Sequence, residues 1–176
     1  MADLIIKPSA GSGNKVILQN QAGNAILTTG NSATDSVFPA GHIIQVKSSS
    51  YDTAVSTTST SPVSINAALE PSIIPSSSSN KIFITWSVPQ YQSSTGEHVS
   101  LQLYRDSTAL GDSNWGFGSL YSAAGAILGI TSGNYLDSPN SDTSVQYKLW
   151  HFVNGGTGTS CMNGGKATIT LMEIAG

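Results

Sequence analysis

Alternation of apolar and polar residues at every second position is the feature that most restricts this chain. Residues 81–88, KIFITWSV, set Ile82, Ile84 and Trp86 against Phe83, Thr85 and Ser87. Residues 99–104, VSLQLY, put Val99, Leu101 and Leu103 on one side. Residues 145–152, VQYKLWHF, set Val145, Tyr147, Leu149 and His151 against Gln146, Lys148, Trp150 and Phe152. The last stretch, residues 167–174, repeats the pattern with Ala167, Ile169, Leu171 and Glu173. A period of two sends successive side chains to opposite faces of a strand and cannot build one face of a helix. Residues 42–47, 53–58 and 63–69 are further strand candidates, and EPSIIPSSSSN at 70–80 is a turn-rich connection. No segment offers a convincing helical repeat with caps. SLYSAAGAIL at 119–128 is the best helix candidate, and Gly125 weakens it. About seven or eight strands at this spacing predict an all-β fold: an antiparallel, jelly-roll-like β-sandwich over residues 37–176.

Residues 1–36 read differently. Three short apolar runs, Leu4-Ile5-Ile6, Val16-Ile17-Leu18 and Ala25-Ile26-Leu27, are separated by SAGSGN and QNQAGN. Each linker carries Gly with Asn, the residues that tolerate the positive φ of tight turns. TTGNSATDS at 28–36 is a linker by composition. A lone small hairpin is marginal in water, so this strand-rich arm needs another domain, another subunit or a surface to cover it.

Composition narrows the function. Only 10% of the chain is charged, while 29 serines and 16 threonines make up about a quarter of it. The net charge of −3 gives no cationic field for nucleic acid, whose binding depends on neutralising phosphate. Residues 123–130 are the nearest approach to a membrane span, and they are too short and broken by Gly125 and Gly129. Cys161 is the single cysteine, so no intrachain disulfide forms. The opening MADLIIKPSAGSG lacks a basic segment followed by a long apolar core, which predicts synthesis without a secretory signal. Six lysines and one arginine are few for guarding sheet edges, so bulges or other subunits must do so, and subunits are the favoured reading.

Motifs for chemistry are scarce. HExxH, GxSxG and CxxC are absent, and His42, His98 and His151 lie at or beside separate predicted strands without metal-ligand spacing. Gly165-Lys166 is followed by Ala167, so the loop lacks the hydroxyl of a phosphate-binding P-loop. Asp137, Asn140 and Asp142 in LDSPNSDT suit either Asx turns or a calcium ion, with turns preferred because the glycine and terminal glutamate of an EF-type loop are missing. Glu97 and His98 in STGEHVS read as a solvated pair. Trp86 and Trp150 belong to strand packing. Trp115, Phe117 and Tyr121 fall in the glycine-rich stretch 111–133, where aromatics pack in a core or interface or stack on sugar faces. No cofactor and no catalytic residue are expected.

The opening ADLIIKPSAGSGNKVILQNQAGNAILTT, followed by FPAGHIIQV, STTSTSPVSINAALEPSIIPSSSSNKIFITWSV, LQLYRDSTALGDS, LDSPNSDTSVQYKLWHF and ATITLMEIAG, resembles a virion protein family of tailed phages, its members described as tail-fibre or capsid-associated. These stretches span nearly the whole chain and are positional signatures, not catalytic ones. The resemblance implies a non-enzymatic virion protein, made in the host cytoplasm and homotrimeric. A short arm with one sandwich suits a decoration or cement protein on the capsid surface. Leu4, Ile5, Ile6, Val16, Ile17, Leu18, Ile26 and Leu27 would then anchor to the major capsid protein or a neighbouring subunit. The alternative is a fibre tip that grips host glycans through its loop aromatics.

Overall fold

The computed structural model describes residues 15–28 and 39–176. Leu4, Ile5 and Ile6 lie outside the described residues. The arm's other two runs form a hairpin, β1 (Ile17–Gln19) and β2 (Ala25–Thr28), in a sheet of its own. Its turn is built as the Asn/Gly pattern requires. The Asn20 side-chain oxygen accepts from the Ala22 and Asn24 amides, and Gly23 takes a φ of +81°. Val16 precedes β1. Ile17, Leu18 and Ile26 are about half exposed.

The remaining strands make a sandwich of two antiparallel sheets. In the first, β3 (Ile43–Tyr51) and β4 (Val55–Thr57) share one position and pair with β14 (Ala167–Ile174) and β13 (Gly158–Ser160), which share the next. Both pair with β7 (Lys81–Gln92), and β11 (Ile127–Asp137) closes the sheet. In the second sheet, β5 (Val63–Ser64) and β6 (Ser72–Ile73) flank β12 (Val145–Val153). Next come β8 (His98–Arg105), then β9 (Thr108–Ala109) and β10 (Gly118–Tyr121) side by side along its far edge. Numbered along the chain, the eight positions run 1-8-3-6 in one sheet and 2-7-4-5 in the other. That is the strand order of a jelly roll, as the alternation predicted.

Inward residues of both sheets form one core. Ile82, Ile84, Trp86 and Val88 of β7 face Leu101 and Leu103 of β8, Tyr147 and Leu149 of β12, and Ile169 and Leu171 of β14. Two buried polar clusters brace it. Tyr147 donates to Asp137 Oδ2 at 2.6 Å, and Arg105 Nη1 donates to both Asp137 oxygens at 2.9 and 3.0 Å, which ties β11 to β8 and β12 across the layers. Burial first, and the Asp137 contact second, push the Tyr147 phenol far above its ordinary range. At the other cluster Glu173, fully buried, accepts from Gln45, Asn80 and both the amide and hydroxyl of Ser76.

Several sequence expectations give way. SLYSAAGAIL is no helix: it is β10, a turn at Gly125 (φ +82°) and the start of β11. Residues 63–69 are a two-residue strand followed by a 3-10 turn, Ala67–Leu69, capped by Asn66. The loop expected at 154–165 contains β13 and a second 3-10 turn, Met162–Gly164.

The two sheets differ on their outer faces. On the second, the segment 110–117 folds back over β8. The Gln102 amide donates to the Asp112 carbonyl at 3.0 Å and accepts from the Gly111 amide at 3.1 Å, and Ser100 meets the Ser119 hydroxyl at 2.5 Å. The described residues leave the first sheet's outer face open, and its register gives it a defined texture. Val46, Met172, Phe83 and Leu136 form an apolar row across all four positions. Next come the rows Ser48-Thr170-Thr85-Asn134 and Ser50-Thr168-Ser87-Ser132. Pro89 with Ile130, and Tyr91 with Leu128, complete the far end. Among these outward positions Lys81, at one margin, is the sole charged residue.

Three of the four sheet edges are guarded. β5 with β6, and β9 with β10, are too short to template another strand, while β3 carries Lys47 on its inward register and a bulge near its start. β11 is not. It offers eleven residues without Lys or Pro, and Leu128, Ile130 and Leu136 stand exposed on it, Ile130 at 66%.

Candidate binding site

The loop after β9 builds the site. Asp112 and Gly116 exchange two backbone hydrogen bonds, at 3.1 and 2.9 Å. Asp112 Oδ1 accepts from the Asn114 and Trp115 amides at 2.8 and 2.9 Å, and these bonds hold its exposed carboxyl below the usual range. Gly116 takes a φ of +61°, and a Cβ there would lie 2.1 Å from the Leu101 carbonyl oxygen. Only glycine fits this reversal. The Phe117 amide donates to that same carbonyl at 2.8 Å.

The reversal sends consecutive aromatics in opposite directions. Phe117 drops into the core, edge-on to Trp86 at 5.3 Å and to Tyr135 at 5.2 Å. It packs against the core and remains partly exposed. Trp115 goes out and stacks on His98 with centroids 4.5 Å apart and planes at 28°, and remains 54% exposed. Tyr121 pairs with His98 across β10 and β8 and is also exposed, so the structure brings Trp115 and Tyr121 to the same histidine.

The stack borders a recess of about 480 Å³, lined by Thr60, His98, Ser113, Asn114, Trp115, Phe152, Val153 and Asn154. Phe152 and Val153 are buried and form an apolar floor. Asn154 Oδ1 accepts from the His98 amide at 2.6 Å, which orients its amide group. No lining residue is acidic or lysine or arginine. His98 is buried, and its Nε2 has no hydrogen-bond partner. The solvated Glu97–His98 pair expected from STGEHVS is therefore overturned: the imidazole is held by Trp115.

Other candidate residues are sequestered. Asp137 belongs to the Arg105–Tyr147 cluster and not to an open loop, so it is unavailable for calcium. Its neighbours make turns: Asn140 has a φ of +51°, and Ser141 Oγ accepts from the Thr143 amide. Among the described residues no group of His, Cys, Asp and Glu is placed to hold a metal ion, and no helix is long and apolar enough to cross a membrane. Cys161 is buried beside the Tyr51 carbonyl, and burial raises its thiol pKa. Trp86 packs in the core. Trp150 leans on Tyr104 and donates to Glu70 Oε1 at 2.9 Å.

One pairing has the look of a nucleophile and its base. His151 Nδ1 lies 2.9 Å from Ser160 Oγ. Both are wholly buried, Gln90 Nε2 reaches Ser160 Oγ at 3.5 Å while its carbonyl accepts from Thr131, and His151 Nε2 has no hydrogen-bond partner, so the carboxylate that would orient the imidazole as a base is missing. Burial drives the His151 pKa down to about 4. This chain of polar groups crosses the sandwich interior and meets no substrate path.

No protein-family model and no curated protein matches the chain. Among solved structures it is similar to a chain in the structure of infectious bursal disease virus Gt strain: 10% identical, TM-score 0.40, covering 98% of this chain and 47% of that one. It is similar in the same way to a chain of the Gx strain of that virus (10% identical, TM-score 0.38, 80% and 39% covered) and to the virus's VP2 subviral particle (10% identical, TM-score 0.35, 97% and 46% covered). The chain thus spans less than half the length of each. Likeness of this degree carries no argument about function.

Proposed function

We propose that this chain is a virion structural protein, a homotrimer that decorates and cements an assembled tailed-phage head. The observation that carries the reading is the outer face of the first sheet, where four strand positions present serine, threonine and apolar side chains with a single lysine at the margin. A solitary soluble domain keeps such a surface charged and guards its long edges. Here the same sheet ends in β11, an unguarded edge. A subunit flanked by copies of itself needs neither charge nor guard at that place.

Residues 1–36 supply the attachment. Ile17, Leu18 and Ile26 carry apolar surface that the hairpin does not bury, and the major capsid protein is the partner assigned to them and to Val16 and Leu27. One standard interface buries about 1,600 Å², and three arms on one knob multiply weak individual contacts through effective concentration. In this role the protein is made in the host cytoplasm, ends on the capsid surface, and works by burying area, without cofactor or catalysis. The alternative place, on a tail or head fibre, would use the Trp115 recess instead of the sheet face.

The test is co-sedimentation with assembled heads and with unassembled capsid subunits. Tight binding to heads with little to free subunits is expected, and removal of residues 1–36 abolishes it. Equal binding to both, or full binding without residues 1–36, overturns the reading.

A further inference from the structure

We infer that the recess beside Trp115 is a subsite for a neutral pyranose sugar. Burying a tryptophan is among the largest hydrophobic gains a side chain offers, yet this chain leaves Trp115 54% exposed. It does so on a loop fixed by the Asp112–Gly116 backbone pair, by two amides on the Asp112 carboxylate, and by Phe117 nailed into the core next to it. One indole face is backed by His98. The ring stays exposed on this braced loop, so little loop-ordering entropy remains to be lost on binding.

The surroundings select the ligand. Apolar C–H faces of a pyranose ring stack on an indole, and its equatorial hydroxyls need donors and acceptors at the ring's edge. Asn114, Asn154, Ser113 and Thr60 line the same recess and supply side-chain amides and hydroxyls, above a floor of Phe152 and Val153. The volume of about 480 Å³ is within the range of small-molecule sites. Charge excludes the alternatives. The lining holds no lysine or arginine, Asp112 sits within the loop, and Glu97 lies against Gly155 beside Asn154. A phosphate, a nucleic acid or an acidic sugar would find no lysine or arginine in the lining, with the Asp112 and Glu97 carboxylates next to it in sequence. The inference stands whether the protein sits on a head or on a fibre.

The experiment uses the full chain, 15N-labelled, titrated with the methyl glycosides of glucose, galactose, mannose and N-acetylglucosamine, and with methyl glucuronide, each to about 50 mM, a range that reaches millimolar affinities. The indole N–H signals of Trp86, Trp115 and Trp150 are followed. At least one neutral glycoside is expected to shift the Trp115 signal saturably and leave Trp86 unmoved, with methyl glucuronide at least tenfold weaker. Trp115→Ala abolishes binding, Asn114→Ala weakens it severalfold, and Trp150→Phe leaves it unchanged; Trp115→Phe, which keeps the ring on His98, retains part of it. If no neutral glycoside moves the Trp115 signal, if binding survives Trp115→Ala in a protein whose spectrum remains dispersed, or if the glucuronide binds as well as the neutral sugars, the inference is wrong.

Discussion

Replacing Glu173 by glutamine changes one atom and tests how the end of the sandwich is held. Glu173 Oε1 accepts three hydrogen bonds, from the Ser76 amide at 2.6 Å, the Ser76 hydroxyl at 2.8 Å and Asn80 Nδ2 at 2.5 Å. Oε2 accepts one from Gln45 Nε2 at 2.6 Å. In Glu173→Gln the new NH₂ faces the Gln45 NH₂, and Gln45 can turn over only by giving up its 2.7 Å bond to the Ile74 carbonyl. One buried donor is thereby stranded, at about 1–3 kcal/mol, and three bonds fall from charge-assisted to neutral strength. Relief of the buried charge's desolvation offsets part of this. The net loss is on the order of 2–3 kcal/mol, or roughly 5–10 °C in Tm for a chain of this size. Burial alone would raise the Glu173 pKa, but hydrogen bonds from Gln45, Asn80 and Ser76 outweigh it and the folded value is lowered. Its contribution is therefore complete above the unfolded glutamate value of about 4.3 and disappears as pH falls through the lower folded value. Urea unfolding of both proteins from about pH 7 down to about pH 3 should show a gap that is constant at neutral pH and narrows below the unfolded value. A gap independent of pH, or no gap at all, refutes the account of this cluster.

His151, buried with a pKa near 4, stays neutral through the range where an ordinary histidine titrates; its ring protons followed by NMR should show a midpoint near that value, and a midpoint near 6.5 would contradict its burial. Because the folded pKa is the lower one, stability from this group is complete above about 6.5 and drains away as pH falls toward 4. Gly116→Ala forces a Cβ to within 2.1 Å of the Leu101 carbonyl at a φ of +61°, so it should cost about 1–3 kcal/mol and disturb Trp115 fluorescence; an unchanged Tm and spectrum would show that the loop is not so constrained. Tyr147→Phe removes the 2.6 Å bond to Asp137 and should cost about 1.5–3 kcal/mol by denaturant midpoint, whereas a neutral result would mean that Arg105 alone satisfies the carboxylate.

The central strands were legible because β7, β8, β12 and β14 each alternate with their apolar set turned inward. β11 was not, although it is as long as any but β7, because apolar residues stand on both of its faces and glycines interrupt the inward one. Its inward positions hold Ile127 and Tyr135 but also Gly129 and Gly133, where a Cβ would strike Leu120 and Trp86 at 2.7 Å, while Leu128, Ile130 and Leu136 point out. Large side chains on neighbouring strands fill the space that β11 leaves, so the signal for this strand is written at Trp86 and Leu120. The outward set of Leu128, Ile130 and Leu136, which the proposed assembly would use, is readable only once the strand's direction is known. The candidate site was half legible. Trp115, Phe117 and Tyr121 are legible as loop aromatics, but neither the Trp115–His98 stack nor the turn of Phe117 toward the core follows from spacing. Both depend on pairing between β8 and β10 and on a glycine reversal at Gly116. The polar clusters around Asp137 and Glu173 escaped for the same reason: their partners lie 10 to 128 residues away in sequence.

Mass in solution tests the central claim most directly. Sedimentation equilibrium of the full chain at low micromolar concentration should give three times 18.2 kDa. Thr85→Lys with Ile130→Lys, which adds charge to the open sheet face and to the β11 edge without touching the core, should give a folded monomer. A wild-type protein that is monomeric at that concentration, or a trimer indifferent to both lysines, contradicts the assignment of this face to assembly.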